Sequence, residues 1–208
     1  MSRSGSIQQA LGDTEIRVRA IKPNGDCFYE AIAAAFTMIT EDVRHCEKIV
    51  VEEGDSQAMA LRRTAAVSVD EETFSKFSMC HLAGLSDFHF MQRIRTVEDL
   101  RQRLLVSGVG AGAGHCLWAN EYEMGVVSSA LGVVLLIIDQ QARLETSRYV
   151  KLGGEEEEGE VGDQRFIILQ RSRREHYNLV YTQADQQLSV FSREQLSQTV
   201  KTLWKIED

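Results

Sequence analysis

The chain has 208 residues, a formal net charge of -8 and 43% apolar residues, which fits one soluble globular domain and argues against a nucleic-acid binder, whose affinity needs clustered Lys and Arg. Its single proline, Pro23, excludes a proline-rich linker or stalk, and no apolar run approaches the roughly 18 residues that a membrane span requires. Cys27, Cys46, Cys80 and Cys116 are scattered, and Met1 to Leu11 lacks the basic-then-apolar pattern of a secretory signal, so a cytoplasmic chain with reduced thiols is expected.

In chain order, residues 1–13 are polar and carry Ser and Gly, which reads as a flexible leader. Ile16, Val18 and Ala20 alternate with Arg17 and Arg19, the period of a half-buried strand. Lys22 to Asp26 collect turn formers, with Pro23 fixing the entry to the turn. From Cys27, the spacing of Phe28, Ile32, Ala35 and Phe36 predicts a helix. Residues 40–106 read mostly as helix. Ala58, Leu61, Ala65 and Val69 share one face, and Thr96 to Asp99 forms an N-terminal cap. Gly108, Gly110, Gly112 and Gly114 predict a flexible loop, and Asn120 to Leu131 another helix.

Val133 to Ile138 is uninterruptedly apolar, as in a strand covered on both faces. Tyr149 to Lys151 and Phe166 to Leu169 are shorter strands. Between them, residues 153–162 read as a mobile acidic hairpin loop, because acids among glycines cannot pack. Arg171, Arg173 and Arg174 read as a solvated turn. Residues 176–181 alternate, with Tyr177, Leu179 and Tyr181 on one face and His176, Asn178 and Val180 on the other. Leu188 to Phe191 is a last strand, and Ser192 with Gln195 a capping box for a last helix carrying Leu196, Val200 and Leu203. The pattern predicts an α/β or α+β domain, with a mixed sheet flanked by helices on both faces.

Two segments carry chemistry. A cysteine at a helix start sits beside unpaired N–H groups and a positive dipole. These lower a thiol's pKa and can hold a developing oxyanion. Gly25 lets a substrate carbonyl approach the backbone. His176 and Asn178 are two apart on a strand, hence side by side, so Asn178 can accept the imidazole proton and aim the other ring nitrogen at Cys27. On spacing alone the alternatives stay open: a buried structural thiol at 27 and an ordinary strand histidine at 176. His45-Cys46, Cys80-His81 and His115-Cys116 raise a zinc-binding interaction module as a further alternative. However, adjacent residues point apart and rarely bind one ion, so neither metal nor cofactor is expected.

Asn24-Gly25-Asp26-Cys27-Phe28-Tyr29-Glu30-Ala31 resembles the nucleophile motif of the ovarian-tumour (OTU) cysteine proteases, which reads roughly Asp-Gly-Asn-Cys-Leu/Phe-Phe/Tyr-Arg-Ala. Ala60-Leu61-Arg62 resembles the family's Leu-Arg helix, Trp118 to Met124 its Trp-Gly-x-x-x-Glu-Leu segment, and His176-Tyr177-Asn178 its His-Tyr-Asn/Asp motif. These matches fall in order over residues 16–182.

The resemblance implies a papain-like fold, formed by a single domain over 14–208, and a deubiquitinase that cleaves after the C-terminal glycine of ubiquitin or a ubiquitin-like modifier. Cys27 would be nucleophile, His176 base and Asn178 orienter. The backbone of Gly25, Asp26 and Cys27 would form the oxyanion hole, with Trp118 and Tyr177 along the substrate groove. Ubiquitin or polyubiquitin is then the expected partner, with no nucleic acid or membrane, and a monomer is expected. Asn24 stands where the family has an Asp that braces the loop, and Glu30 where it has an Arg. These departures keep a catalytically weak or inactive ubiquitin-binding protein of the same fold as the alternative.

Overall fold

The computed structural model describes residues 4–139, 141–142, 147–154, 164–172, 176–183 and 187–207. The helices are α1 (Ser4–Leu11), α2 (Cys27–Met38), α3 (Gln57–Val67), α4 (Glu71–Leu82), α5 (Val97–Leu105), α6 (Gly108–Ala111), α7 (Glu121–Leu131) and α8 (Gln198–Trp204). The strands are β1 (Ile16–Arg19), β2 (Val133–Asp139), β3 (Tyr149–Leu152), β4 (Arg165–Ser172), β5 (His176–Thr182) and β6 (Phe191–Ser192). They form one mixed sheet in the order β1-β5-β4-β2-β3, with β6 on β4. Among the described residues, β2 and β4 run parallel and the other pairings are antiparallel.

The alternation of side chains along the strands builds two cores. Val133, Leu135 and Ile137 of β2 join Ile167, Leu169, Tyr177 and Leu179 on one face, under Phe28, Ile32 and Phe36 of α2 and Val127 of α7. Val134, Leu136 and Ile138 join Phe166, Ile168 and Val180 on the other, under Ile7 and Leu11 of α1 and Val200 and Trp204 of α8. The all-apolar reading of β2 follows directly from this double burial. A third cluster, made by Ala66, Phe77, Met91, Leu100 and Leu104, ties α3, α4 and α5 together beside the sheet. Thr96 caps α5 in a full capping box with Asp99.

Several expectations are corrected. The leader over 1–13 contains α1, whose Ile7 and Leu11 are buried against the sheet; a single i, i+4 apolar pair suffices once a sheet face awaits it. Residues 153–162 do not close a hairpin. The flanking strands β3 and β4 pair with β2 on its opposite sides and not with each other. The acidic run over 155–163 lies outside the described residues, as do Arg173 and Arg174, while Arg171 belongs to β4. The predicted strand at Leu188 to Phe191 reduces to a bridge at Leu188 and the short β6. Ser192 is held in β6 by pairing with Arg165, so its N–H bond to Gln195 Oε1 (2.7 Å) closes a turn. Helix α8 starts later and is capped by Ser197.

Candidate active site

The turn before α2 is held residue by residue. The Asn24 N–H donates to the Lys22 carbonyl (2.9 Å), closing a three-residue turn centred on Pro23, whose ring fixes φ there. Gly25 has φ +92, and a Cβ on it would run into the Cys116 Sγ, so the position requires glycine twice over. The Asp26 N–H donates to Asn24 Oδ1 (3.0 Å), and the Asp26 carbonyl accepts from the Glu30 N–H (2.9 Å), the first turn of α2. Cys27 is therefore the first residue of that helix.

The packing of α2 on β5 brings the second motif to the first. The Tyr177 N–H donates to Cys27 Sγ at 3.4 Å, so His176 lies on the strand next to the residue that touches the thiol. His176 Nε2 and Asn178 Oδ1 are 3.1 Å apart. Asn178 is itself fixed: Oδ1 also accepts from the Ile21 N–H (3.0 Å), and Nδ2 donates to Gln170 Oε1 (3.3 Å). With Oδ1 bonded to an N–H, the amide orientation is settled, and Nε2 is the ring nitrogen that carries the proton in the neutral imidazole.

Three site expectations change. Tyr177 is 2% exposed and packs edge-on against Phe28 at 5.8 Å, so it is a core residue and lines no groove. Asp26 contributes no N–H to an oxyanion hole, because that N–H is engaged by Asn24. The thiol is not lowered by the helix start. Burial pushes Cys27 up to about 11, against the Tyr177 and Phe28 N–H groups that favour the thiolate, with Glu30 adding a small upward push. At 1% exposure, desolvation outweighs the dipole. Trp118 is half-buried and packs against the core cluster that contains Cys27.

The raised thiol has a consequence for stability. The folded state keeps a proton that an unfolded thiol loses from its ordinary value of 9.0 upward, so stability falls as pH rises through 9 toward 11. Relative to Cys27→Ala, the wild type is expected to lose about 2 kcal/mol between about pH 8 and about pH 10.5, read by urea unfolding. Parallel profiles for the two proteins would contradict the burial of the thiol.

The two departures from the OTU motif meet each other: Asn24 Nδ2 donates to Glu30 Oε1 at 2.8 Å. Their consequence is a neutral-to-charged hydrogen bond bracing the turn rather than two separate defects.

The residue that organises this turn is Arg62, which the sequence marks only as part of the Ala60-Leu61-Arg62 match, without a role. Arg62 of α3 is 1% exposed and ion-pairs with Asp26 Oδ1 at 2.7 Å. It donates to the carbonyls of Gly25 (3.1 Å), Leu104 (2.8 Å) and Leu117 (3.0 Å), and its guanidinium lies 4.6 Å over the Tyr29 ring. The signal was an arginine beside Leu61 on an otherwise apolar helix face. Tyr29 Oη in turn donates to Glu123 Oε1 (2.6 Å), while Glu123 Oε2 accepts from the Asn120 N–H (3.0 Å) as part of the α7 capping box. The glycine-rich segment also differs from the expected flexible loop. Ser107 caps the short α6, and a Cβ at Gly108 would collide with the Asn24 carbonyl oxygen, so Gly108 serves close approach rather than flexibility.

No protein-family model matches the chain, and no curated protein does. Solved structures do. An ovarian-tumour (OTU) domain in complex with ubiquitin has TM-score 0.53 and 15% identity, covering 91% of this chain and 83% of that one. An OTU deubiquitinase from Wolbachia pipientis wMel has TM-score 0.45 and 11% identity, covering 91% and 96%. The Hazara virus OTU bound to ubiquitin has TM-score 0.41 and 16% identity, covering 81% and 82%. The chain has the α+β fold of the ovarian-tumour domains.

Proposed function

We propose that the chain is a thiol-dependent deubiquitinase, hydrolysing the peptide or isopeptide bond after the C-terminal glycine of ubiquitin or a ubiquitin-like modifier. One observation carries the reading: the Cys27 thiol, at the start of α2, lies against the strand on which His176 is hydrogen-bonded to Asn178. The ubiquitin complex of the similar OTU domain supports the substrate class.

Because burial holds Cys27 as a neutral thiol, the proton leaves as the bond forms. Cys27 Sγ attacks the glycine carbonyl, and His176 Nδ1 accepts the thiol proton. The charge that develops on the carbonyl oxygen is held by backbone N–H groups at the helix start. Collapse of this intermediate breaks the C–N bond, and the imidazolium returns the proton to the departing lysine amine. Water then attacks the thioester, again with His176 as base, and releases the glycine carboxylate and the thiol. Asn178 keeps Nε2 protonated and orients the ring.

The test is hydrolysis of ubiquitin carrying a fluorogenic C-terminal amide. His176→Ala is expected to lower kcat by about a thousandfold, in the range of general acid–base catalysis, with KM little changed. Asn178→Ala is expected to cost about ten- to a hundredfold, since water can replace part of the orienting bond. Equal losses for the two variants would contradict the subordinate role of Asn178, and a folded wild type without turnover would contradict the activity. The 1% exposure of Cys27 favours a second reading, a ubiquitin-binding protein without turnover. Its signature is ubiquitin affinity unchanged by Cys27→Ala and no hydrolysis by the wild type.

A further inference from the structure

The segment that follows α5 presses on the nucleophile turn from outside. Asp26 Oδ2 accepts from Ser107 Oγ (2.6 Å) and from the Val109 N–H (3.0 Å), while Oδ1 faces Arg62. The Asn24 carbonyl accepts from Cys116 Sγ (3.7 Å) and lies where a Gly108 side chain would stand. Residues 107–116 thus touch the turn at both ends of Asn24-Gly25-Asp26, while Arg62 holds its centre through the Gly25 carbonyl.

These contacts fix which way each peptide points. In a trans peptide the C=O and the next N–H point in opposite directions. The Asn24 carbonyl is turned toward Gly108 and Cys116, so the Gly25 N–H faces away from the segment. The Gly25 carbonyl is turned to Arg62, which sends the Asp26 N–H to Asn24 Oδ1. The Asp26 carbonyl enters the hydrogen-bond ladder of α2, so the Cys27 N–H faces out of the helix start.

We propose that Asp26 is a positioning residue, and that its carboxylate straps residues 107–116 and Arg62 to the turn so that the Gly25 and Cys27 N–H groups are aimed at the oxyanion. This rests on the thiol chemistry of the proposed function and assigns the strap a part in it. Asp26 acts through the backbone and touches no reacting atom. An ion pair alone would need only Arg62. The further bonds from Ser107 and Val109 link the turn to a segment from another part of the chain, so a shift of the strap moves the amide donors.

The experiment compares wild type, Ser107→Ala and Gly108→Ala in three reactions. Hydrolysis of the ubiquitin amide and acylation of Cys27 by 4-nitrophenyl acetate both build an oxyanion; alkylation by iodoacetamide builds none. Cys27→Ala supplies the background in each. Complete loss of one oxyanion donor costs about a hundred- to a thousandfold, so a displaced donor pair is expected to lower kcat by about ten- to a hundredfold, with KM within about twofold. Nitrophenyl acetate acylation should fall in parallel, and the iodoacetamide rate should stay within about twofold of wild type.

Alkylation falling in step with hydrolysis would overturn the proposal, because the strap would then act on the thiol itself or on folding. Unchanged kcat in both variants, with unchanged melting, would overturn it as well. If the wild type cleaves no ubiquitin substrate but its nitrophenyl acetate acylation still depends on the strap, the positioning role stands and the ubiquitin reading falls.

Discussion

Cys27→Ala is expected to abolish hydrolysis of the ubiquitin amide, a loss of about a millionfold or to the detection limit, while leaving the fold and ubiquitin affinity in place. The size follows from the chemistry. Without the sulfur no thioester forms, and His176 has no nucleophile to deprotonate; the remaining amide donors would accelerate attack by water only weakly. The fold survives because the change removes one atom from a buried site, a cost of about 1–2 kcal/mol in a domain stable by about 5–15 kcal/mol. Cys27→Ser should be nearly as inactive, since a buried hydroxyl is a far weaker nucleophile than a thiol. Loss of activity accompanied by a collapsed melting transition would instead mark Cys27 as a structural thiol, the alternative that its 1% exposure keeps in view.

Arg62→Ala is expected to be the most destabilising single substitution near the site. It leaves the Asp26 carboxylate, 4% exposed as a residue, without its cationic partner, and it strips donors from the carbonyls of Gly25, Leu104 and Leu117. Breaking a buried ion pair by deleting one partner costs about 3–5 kcal/mol, and each orphaned buried acceptor adds to it. For a chain of this size that lowers the melting temperature by about 10 °C or more. Arg62→Lys should fall between, because an ammonium keeps the charge but cannot reach three carbonyls and the carboxylate from one planar fork. A loss under about 1 kcal/mol for Arg62→Ala in urea unfolding would show that the turn does not depend on this side chain.

Much of the frame was legible because it is encoded by local period. Val133 to Ile138 is apolar at every position, and the structure covers both of its faces. The spacing of two between His176 and Asn178 places their side chains 3.1 Å apart at the nearest atoms. Thr96 and Asp99 announce the start of α5. The partners that went unread act at long range. Nothing local in Arg62 tells that it meets Asp26, or that Ser107 bonds the same carboxylate, because those partners converge only when α3 and the segment after α5 close on the turn. Glycine spacing likewise cannot separate freedom from crowding: Gly108 reads as flexible, yet it sits against the Asn24 carbonyl.

Two of the corrected features are legible in the sequence itself. Tyr177 shares strand parity with Leu179, and that parity placed it in the core rather than in a groove. The helix dipole favours the thiolate, but an apolar helix start that is buried on folding sets a larger and opposite desolvation cost.

The most direct measurement is the intact mass of the protein after incubation with ubiquitin bearing an electrophilic C-terminus, followed by peptide mapping. A single ubiquitin adduct on Cys27, absent in Cys27→Ala, is expected. A folded wild type that forms no adduct, or one whose adduct maps to Cys46, Cys80 or Cys116, would contradict it.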